Sequence, residues 1–253
     1  MSVRTFVKGS TYWIKLDNVK RANSLTTKMY DEVRRGLDEA NDHPATTFTA
    51  ITGDGKFYSA GNDFTPAEWN SKAAASKDLD IGPFRMGRRL IDHDKILLGL
   101  VNGPAFGIAA TTLALMDYVV CTDTAYFSTP FSLVGVTPEG GSSGTFPPIM
   151  GTSRANGMLL FNQRLEAADA LKCGFVGKVF PAADFDRLSA EMFEEFEKLP
   201  RHSLLASKSL IRNDAWKQKM RGIFETEVEA IRKMFGSEAS QKLISERFGK
   251  KKQ

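Results

Sequence analysis

The sequence predicts an α/β protein in which a core of alternating strands and helices is followed by a helical C-terminal region. Its 253 residues are 42% hydrophobic and 25% charged, a composition typical of chains that bury a substantial core. Up to about residue 150, apolar runs of strand length alternate with helical periodicity, and beyond it helical patterns dominate. We therefore divide the chain into an α/β core, 1–183, and a helical region, 184–253.

The first part of the chain predicts strands connected by helices and glycine loops. Residues 3–17 alternate in polarity around a Gly-Ser pair, which predicts a hairpin, and apolar residues recur at helical spacing over 27–42. The further predicted elements, in order, are the buried strand TTFTAITG, a short strand in FYSAGNDF, the strand ILLGLVNG, the apolar helix GIAATTLALMD, and the strands DYVVCTD and AYFST.

The remaining segments predict helices. Residues 65–95 are polar and weakly periodic, which indicates irregular helices, and GKVFP is the single possible strand after residue 150. Two helical segments carry apolar stripes, which bury either on the chain's own core or against a neighbouring subunit. The stripes are Leu188, Met192, Phe193 and Phe196, and Ile223, Val228, Ile231 and Phe235.

Charge and cysteine content exclude several classes of protein. The net charge of +4 comes without clustered basic residues except Lys250–Lys252, which we interpret as a solvated tail, so no nucleic-acid partner is predicted. Cys121 and Cys173 make no disulfide framework and indicate a reducing compartment. No apolar run approaches the roughly 20 residues of a membrane span, and neither terminus shows a targeting signal.

Metal and nucleotide chemistry lack their sequence signatures. His43, His93 and His202 show no metal-ligand spacing and are predicted to be surface residues. A Walker loop, a nucleophile elbow and a dinucleotide fingerprint are absent as well. We therefore predict no metal and no separate cofactor.

One carboxylate stands in a run of small residues, GVTPEGGSSGTFP, at 135–147. Glu139 is either an incidental charge in a surface turn or an acid/base at the start of a helix, with room beside it for a substrate. The stretch alone leaves both interpretations open.

Two further stretches, YSAGND at 58–63 and VNGPAFGIAATT at 101–112, run from a strand through a glycine loop toward a helix. Placed side by side, they could direct two backbone amides at one substrate oxygen and form an oxyanion hole. The alternative is that Gly61, Gly103 and Gly107 only turn the chain and pack tightly.

Taken together, these motifs resemble the crotonase (enoyl-CoA hydratase/isomerase) superfamily over nearly the whole chain. KRANSLTTKMYDEV is similar to the family's N-terminal segment, YSAGND to its A-G-x-D loop, VNGPAFGIAATTLALMDYVV to its glycine-led helix, and AYFSTPFSLVGVTPEGGSS to its third active-site stretch. The resemblance implies a superhelix of ββα turns whose C-terminal helices assemble a homotrimer or hexamer.

The resemblance also implies acyl-CoA thioester substrates, with coenzyme A as part of the substrate. It places the oxyanion-hole amides at Asn62 and Ile108. It implies a substrate-binding set of Ala60, Gly61, Asn62, Asp63, Phe64, Gly107 and Phe131. By resemblance the compartment is the peroxisome, with mitochondrion and cytosol as alternatives.

The departures from the family's hydratases point to an isomerase. Thr111 and Phe131 occupy the positions of the two hydratase glutamates, and neither transfers a proton. Glu139 stands in a PEGGSS segment like that of the Δ3,Δ2-enoyl-CoA isomerases, which act in β-oxidation of unsaturated fatty acids. We expect Phe131 and Phe146 to exclude water from Glu139 and raise its pKa.

Two other interpretations stay open at this point. In the first, the chain is a non-catalytic crotonase-like module that binds CoA or a protein. In the second, it is another CoA-thioester enzyme, such as a hydratase, that uses Asp63, Glu68 or Asp94 as its acid. In an assembled trimer, Lys208 or Arg212 could reach the CoA phosphates.

Overall fold

The computed structural model describes residues 2–65, 68, 82–235 and 237–248. The strands in these residues are β1 (Val3–Lys8), β2 (Thr11–Leu16), β3 (Phe48–Gly53), β4 (Ile96–Val101), β5 (Ala105–Phe106), β6 (Tyr118–Thr122), β7 (Tyr126–Ser128), β8 (Leu165–Glu166) and β9 (Lys178–Phe180).

The helices follow the same chain order. They are α1 (Thr27–Asp42), α2 (Gly82–Ile91), α3 (Ile108–Thr111), α4 (Phe131–Val134), α5 (Ser142–Met150), α6 (Thr152–Leu159), α7 (Ala167–Lys172), α8 (Phe185–Glu197), α9 (Arg201–Ile211), α10 (Asp214–Phe235) and α11 (Glu238–Phe248).

The strands form one six-stranded sheet and one three-stranded sheet. The larger sheet has the order β1-β2-β3-β4-β6-β9, in which β1 and β2 are antiparallel and every other pair is parallel. The smaller sheet has the order β5-β7-β8. Since parallel strands end at one edge, the loops that follow β3 and β4 leave the large sheet side by side.

The predicted α/β core with a helical C-terminal region is confirmed, and most elements lie where the sequence predicts them. The hairpin turns at Gly9, whose φ of +58° is a glycine conformation. Helix α1 has the predicted bounds, and the hydroxyl of Thr26 caps it by accepting the N–H of Met29. The boundary between residues 183 and 184 stays a prediction.

Several elements differ from the prediction. GKVFP is not the single strand after residue 150, because Leu165–Glu166 pairs with β7 as the short strand β8. FYSAGNDF forms isolated bridges at Ser59 and Asn62 rather than a strand, because these two residues pair with different neighbouring segments. The helix predicted in GIAATTLALMD ends as α3 after four residues and continues as a 3₁₀ turn. The hydroxyls of Thr111 and Thr112 both donate to the carbonyl oxygen of Ile108, and such back-bonding disturbs a regular α-helix.

Two predictions fall largely on residues that the structure does not describe. The irregular helices expected over 65–95 are represented by α2, and residues 66–67 and 69–81 lie outside the described set. The predicted solvated tail, 250–252, also lies outside it.

The large sheet packs on both faces, and the C-terminal helices supply one of these layers. On α8, Met192 and Phe193 are buried in the core cluster formed with β3, β4 and β6, and Leu188 and Phe196 pack against that cluster. On α10, Ile223 and Val228 pack against the main core. These parts of both stripes therefore fold back on the chain itself, so they are not a surface available to a neighbouring subunit.

His93 is buried rather than exposed, contrary to the sequence prediction. Its Nε2 lies 2.8 Å from the hydroxyl of Thr49 on β3, and burial followed by the nearby Lys208 and Arg89 charges holds its pKa well below the usual range. A neutral imidazole with a hydroxyl partner is compatible with burial, and periodicity does not reveal such a partner.

Among the described residues, no helix combines the length and hydropathy that a membrane crossing requires. The same residues contain no group of three metal-ligating side chains placed to hold an ion.

Candidate active site

The two glycine loops of the sequence analysis lie in contact at the edge of the large sheet. The Phe106 N–H donates to the carbonyl oxygen of Ser59 at 2.9 Å, and Ser59 forms a parallel bridge with Ala105. A β-carbon placed on Gly61 would lie 2.6 Å from the carbonyl oxygen of Phe106 and 3.7 Å from the Cα of Gly107. This approach, and a φ of +78°, restrict position 61 to glycine.

The backbone around the two predicted oxyanion donors leaves their N–H groups outside the adjoining secondary structure. Ile108 is the first residue of α3, so its N–H precedes the first bond of the helix. Asn62 is bridged to Leu25, but the bonds are made by the carbonyl of Gly61 and the N–H of Asp63. The N–H of Asn62 therefore points to the side opposite Leu25.

A cleft of about 860 Å³ opens above these loops. Six of the seven predicted substrate-binding residues line it: Ala60, Asn62, Asp63, Phe64, Gly107 and Phe131. Gly61 and Ile108 are not among its lining residues. The rest of the lining combines apolar side chains with two cations at one end, and includes Phe57, Phe106, Pro130, Val134, Val136, Glu139, Ile231, Lys20 and Arg21.

Glu139 lies between the two loops, two residues before Gly141, the residue that precedes the first position of α5. Its carboxylate accepts hydrogen bonds from the Asn62 side-chain amide, at 3.3 Å to Oε1 and 3.4 Å to Oε2. A β-carbon on Gly107 would stand 3.7 Å from Oε1. The tertiary structure thus brings the acid of the third stretch to both predicted oxyanion loops.

A buried tyrosine fixes the Asn62 side chain. The hydroxyl of Tyr30 donates to Asn62 Oδ1 at 2.5 Å, which leaves the Asn62 NH₂ group directed at Glu139. Burial, followed by the charges of Glu139, Asp63 and Glu68, raises the pKa of Tyr30 well above its usual value, so the phenol remains a donor. Sequence reasoning missed this chain of hydrogen bonds from Tyr30 through Asn62 to Glu139, since Tyr30 stands on the core face of α1 among apolar residues.

The other candidate carboxylates are engaged elsewhere. Asp63 accepts bonds from the Thr65 N–H and the Ser24 hydroxyl and pairs with Arg21 at 3.0 Å. Burial alone would raise the pKa of Asp63, but these partners more than offset it and lower that pKa. The carboxylate of Glu68 accepts hydrogen bonds from the N–H and the hydroxyl of Thr27 at the start of α1.

Asp94 is remote from the cleft lining. Its side chain is 73% exposed and pairs with Lys217 at 3.0 Å.

The two positions that the resemblance assigns to the hydratase acids are Thr111 and Phe131, neither of which is an acid. Thr111 is fully buried, and a β-carbon on Gly140 would lie 2.2 Å from its hydroxyl oxygen, so Thr111 lies behind the Glu139 segment. Phe131 forms an apolar wall of the cleft. The expectation for Phe146 is wrong: it packs against Phe175 in the core and does not line the cleft.

Lys208 and Arg212 lie far from the cleft of their own chain. Both pair with Asp117, at 2.6 Å and 3.4 Å, and Asp117 also accepts the N–H of Leu97 near the start of β4. The cleft is at the opposite edge, where β3 and β4 end. Among the residues that the structure describes, Lys20 and Arg21 are the basic residues that line the cleft, and sequence reasoning passed over both.

The chain matches the family described as "Enoyl-CoA hydratase/isomerase" over residues 7–253. It is 38% identical over 234 residues to "Enoyl-CoA delta isomerase 2" of Rattus norvegicus, covering 91% of this chain and 59% of that protein. It is 36% identical to "Enoyl-CoA delta isomerase 3, peroxisomal" of Mus musculus, covering 82% of this chain and 65% of that protein. The chain thus spans about three fifths of the length of these relatives.

The fold agrees with the sequence match. A crystal structure described as enoyl-CoA hydratase/isomerase from Pseudoalteromonas atlantica T6c superposes with a TM-score of 0.89 at 24% identity, covering 100% of this chain and 98% of that one. The glycine loops and the acid between them thus stand in a shared fold, and the chain belongs to the enoyl-CoA hydratase/isomerase family, the crotonase superfamily.

Proposed function

We propose that this chain is a Δ3,Δ2-enoyl-CoA isomerase, which moves the double bond of a 3-enoyl-CoA to the 2-trans position. The observation that carries the proposal is the placement of Glu139 beside both predicted oxyanion loops, with Thr111 and Phe131 at the two hydratase positions. The rat and mouse relatives, both named enoyl-CoA delta isomerase, support it. The reaction would serve β-oxidation of unsaturated fatty acids.

One carboxylate is sufficient for this chemistry. The isomerisation removes a proton from C2 of the acyl chain and returns a proton to C4 on the same face, so a single base can perform both transfers. Glu139 follows Pro138 and precedes Gly140 and Gly141, whose φ values of +71° and +79° are glycine conformations, and Glu139 lines the cleft. The Asn62 amide donates to both oxygens of the carboxylate and thereby orients it.

The intermediate is a dienolate whose negative charge rests on the thioester oxygen. In the proposal, the N–H groups of Asn62 and Ile108 bind that oxygen, and each donor stabilises the transition state by roughly 3–4 kcal/mol. Phe131, Val134 and Val136 line the same cleft and would exclude water from the acyl chain.

The cations of the cleft suit the CoA phosphates. Lys20 and Arg21 lie together on the 3₁₀ turn Val19–Arg21 and line the cleft. The guanidinium of Arg21 is paired with the Asp63 carboxylate, which neutralises part of its charge. We therefore expect Lys20 to supply the larger part of the attraction for the phosphates. We also propose a peroxisomal location, which the name of the mouse relative supports.

The direct test is a comparison of two substrates. Purified protein is incubated with 3-hexenoyl-CoA, and formation of the conjugated 2-enoyl thioester is followed by absorbance. Hydration of 2-hexenoyl-CoA is measured in parallel. Faster hydration than isomerisation would favour a hydratase, and CoA-thioester binding without either turnover would favour a non-catalytic module.

Placing a glutamate at position 111, the first hydratase position, is expected to destabilise the folded protein. Thr111→Glu places a longer, charged side chain where Gly140 already packs, and should lower the free energy of unfolding by about 3 kcal/mol or more. Thr226→Glu, at an exposed threonine of α10, is the matched control and should stay within about 0.5 kcal/mol of wild type. Urea titration measures both, and a stable Thr111→Glu protein that hydrates 2-hexenoyl-CoA would contradict this view of the site.

We further propose that the chain assembles as a trimer through surfaces other than the folded-back parts of the α8 and α10 stripes. Large apolar side chains remain exposed on α9 and after α6: Leu210 at 77%, Ile211 at 70% and Phe161 at 69%. Burial of such side chains against a neighbouring subunit would contribute favourable free energy to assembly. Light scattering should give a mass near 84 kDa, three times the 28.0 kDa of one chain, and a mass of one chain at micromolar concentration would exclude the trimer.

A further inference from the structure

A buried carboxylate from the C-terminal helices binds the backbone just after Glu139. Glu227, on α10, is 5% exposed. Its Oε2 accepts the N–H of Gly141 at 2.7 Å, and its Oε1 accepts both the N–H and the hydroxyl of Ser143, at 2.8 Å and 2.6 Å. Burying a carboxylate is unfavourable unless donors replace its water, and here three donors do so.

These bonds replace the cap that α5 lacks. The residue before the first helical position is Gly141, which has no side chain to accept the unpaired N–H groups of the first turn. A carboxylate at this end also interacts favourably with the helix dipole. Glu227 therefore acts as an N-cap supplied by another helix.

The first turn of α5, once capped by Glu227, also fixes the backbone of Glu139. The N–H and the hydroxyl of Ser142 both donate to the carbonyl oxygen of Glu139, at 3.3 Å and 2.7 Å. Between them, Gly140 and Gly141 take up positive φ values and offer no side chains that could anchor the loop. The backbone of Glu139 is thus fixed through the first turn of α5, and that turn is fixed by Glu227.

Helix α10 also closes over this segment sterically. A β-carbon on Gly141 would lie 2.8 Å from a ring carbon of Phe224 and 2.9 Å from the terminal methyl carbon of Met220. One on Gly144 would lie 2.3 Å from Ile223. The close packing means that loss of the Glu227 bonds would not be compensated by a shift of the segment toward α10.

We propose that Glu227 is a positioning residue for Glu139, which sets the reach of the base across the acyl chain without touching the substrate. The inference rests on the proposed isomerase function. It assigns a role in the reaction to a residue 88 positions along the chain from Glu139, on the helix that also lines the cleft through Ile231.

The kinetic test uses Glu227→Gln, which keeps the size of the side chain and removes its charge and one acceptor. We expect kcat with 3-hexenoyl-CoA to fall at least about tenfold, since misplacement of a catalytic group by an ångström is enough for this. KM and the affinity for octanoyl-CoA, a saturated thioester, should stay within about twofold. Glu229→Gln is the matched control, because Glu229 is on the same helix, 63% exposed and paired with Lys233.

A double variant separates positioning from a general loss of stability. If Glu227 acts through Glu139, adding Glu227→Gln to Glu139→Gln should reduce the residual turnover no further. A kcat within about twofold of wild type for Glu227→Gln, or a further tenfold loss in the double variant, would overturn the proposal.

Hydrogen exchange gives a measurement that does not depend on the reaction. In Glu227→Gln, one of the two amides, Gly141 or Ser143, loses its acceptor and the other keeps a neutral one, so the peptide covering 139–146 should exchange faster than in wild type and in Glu229→Gln. Unchanged exchange would overturn the positioning role. If wild type fails to isomerise 3-hexenoyl-CoA, the proposed function fails, and exchange still decides whether Glu227 holds the segment.

Ser143→Ala provides a milder variant should Glu227→Gln fold poorly. It removes the hydroxyl donor at 2.6 Å and leaves both backbone bonds to Glu227. We expect kcat to fall about twofold to fivefold with KM unchanged. A Ser143→Ala protein with wild-type kcat and unchanged exchange over 139–146 would count against the proposal.

Discussion

Glu139→Gln is expected to bind CoA thioesters like wild type and to lose at least about two orders of magnitude in isomerase kcat. Glutamine preserves the shape of the side chain and can still contact the Asn62 amide, but it cannot take a proton from C2. Asp63 is paired with Arg21, and neither the hydroxyl of Thr111 nor the ring of Phe131 is basic enough to take a proton from carbon, so none of these neighbours offers a substitute base.

The measurement is single-turnover and steady-state isomerisation of 3-hexenoyl-CoA, with octanoyl-CoA affinity from calorimetry. Glu229→Gln makes the same chemical change at an exposed site and should match wild type in both. Retention of more than about a tenth of wild-type kcat by Glu139→Gln would show that another group is the base.

Gly61→Ala should strongly lower turnover because it disturbs the oxyanion hole rather than the base. A β-carbon at position 61 would stand 2.6 Å from the carbonyl oxygen of Phe106, and backbone rather than a flexible side chain would have to move. That movement displaces the N–H of the adjacent Asn62 and parts the two loops. We expect kcat to fall about a hundredfold or more and the free energy of unfolding to fall by about 2 kcal/mol or more.

Gly174→Ala is the control that isolates the steric contact from backbone strain. Gly174 has almost the same φ, +79° against +78°, but a β-carbon there would meet nothing within 4 Å. It should lose about 1 kcal/mol of stability and keep wild-type turnover. Equal losses of turnover in the two variants would mean that the contact between the loops does not hold the oxyanion donors.

The folding pattern near the chain start could be predicted in detail because it depends on local signals. Alternation around Gly9 and the apolar repeat of α1 are read directly from the sequence, and their bounds agree with the structure. Prediction was weaker where side chains redirect the backbone, as at Thr111 and Thr112, whose hydroxyls compete for the Ile108 carbonyl. Propensity carries no information on which carbonyl a hydroxyl will choose.

In the candidate site, too, local motifs were predicted from the sequence and contacts between distant residues were not. Glu139 and the two glycine loops were identified from motifs, since glycines and a lone acid in small residues are visible in the sequence. Tyr30 and Glu227 were missed, because each joins the site through hydrogen bonds to residues distant in the sequence: Tyr30 to Asn62, and Glu227 to Gly141 and Ser143. A signal existed for Glu227: it falls between Ile223 and Ile231 at four-residue spacing, so an acid stands on an apolar face of α10.

The sequence by itself determined the fold class, the family and the identity of the candidate acid, because these depend on local periodicity and on motifs of adjacent residues. Only the tertiary structure decided which partners that acid has: Asn62 held by Tyr30 on one side, and the α5 turn held by Glu227 on the other. It also decided that the α8 stripe, and Ile223 and Val228 of the α10 stripe, fold back on the chain's own core. Contacts between residues tens of positions apart follow from how the sheet and helices pack, and no local pattern encodes that packing.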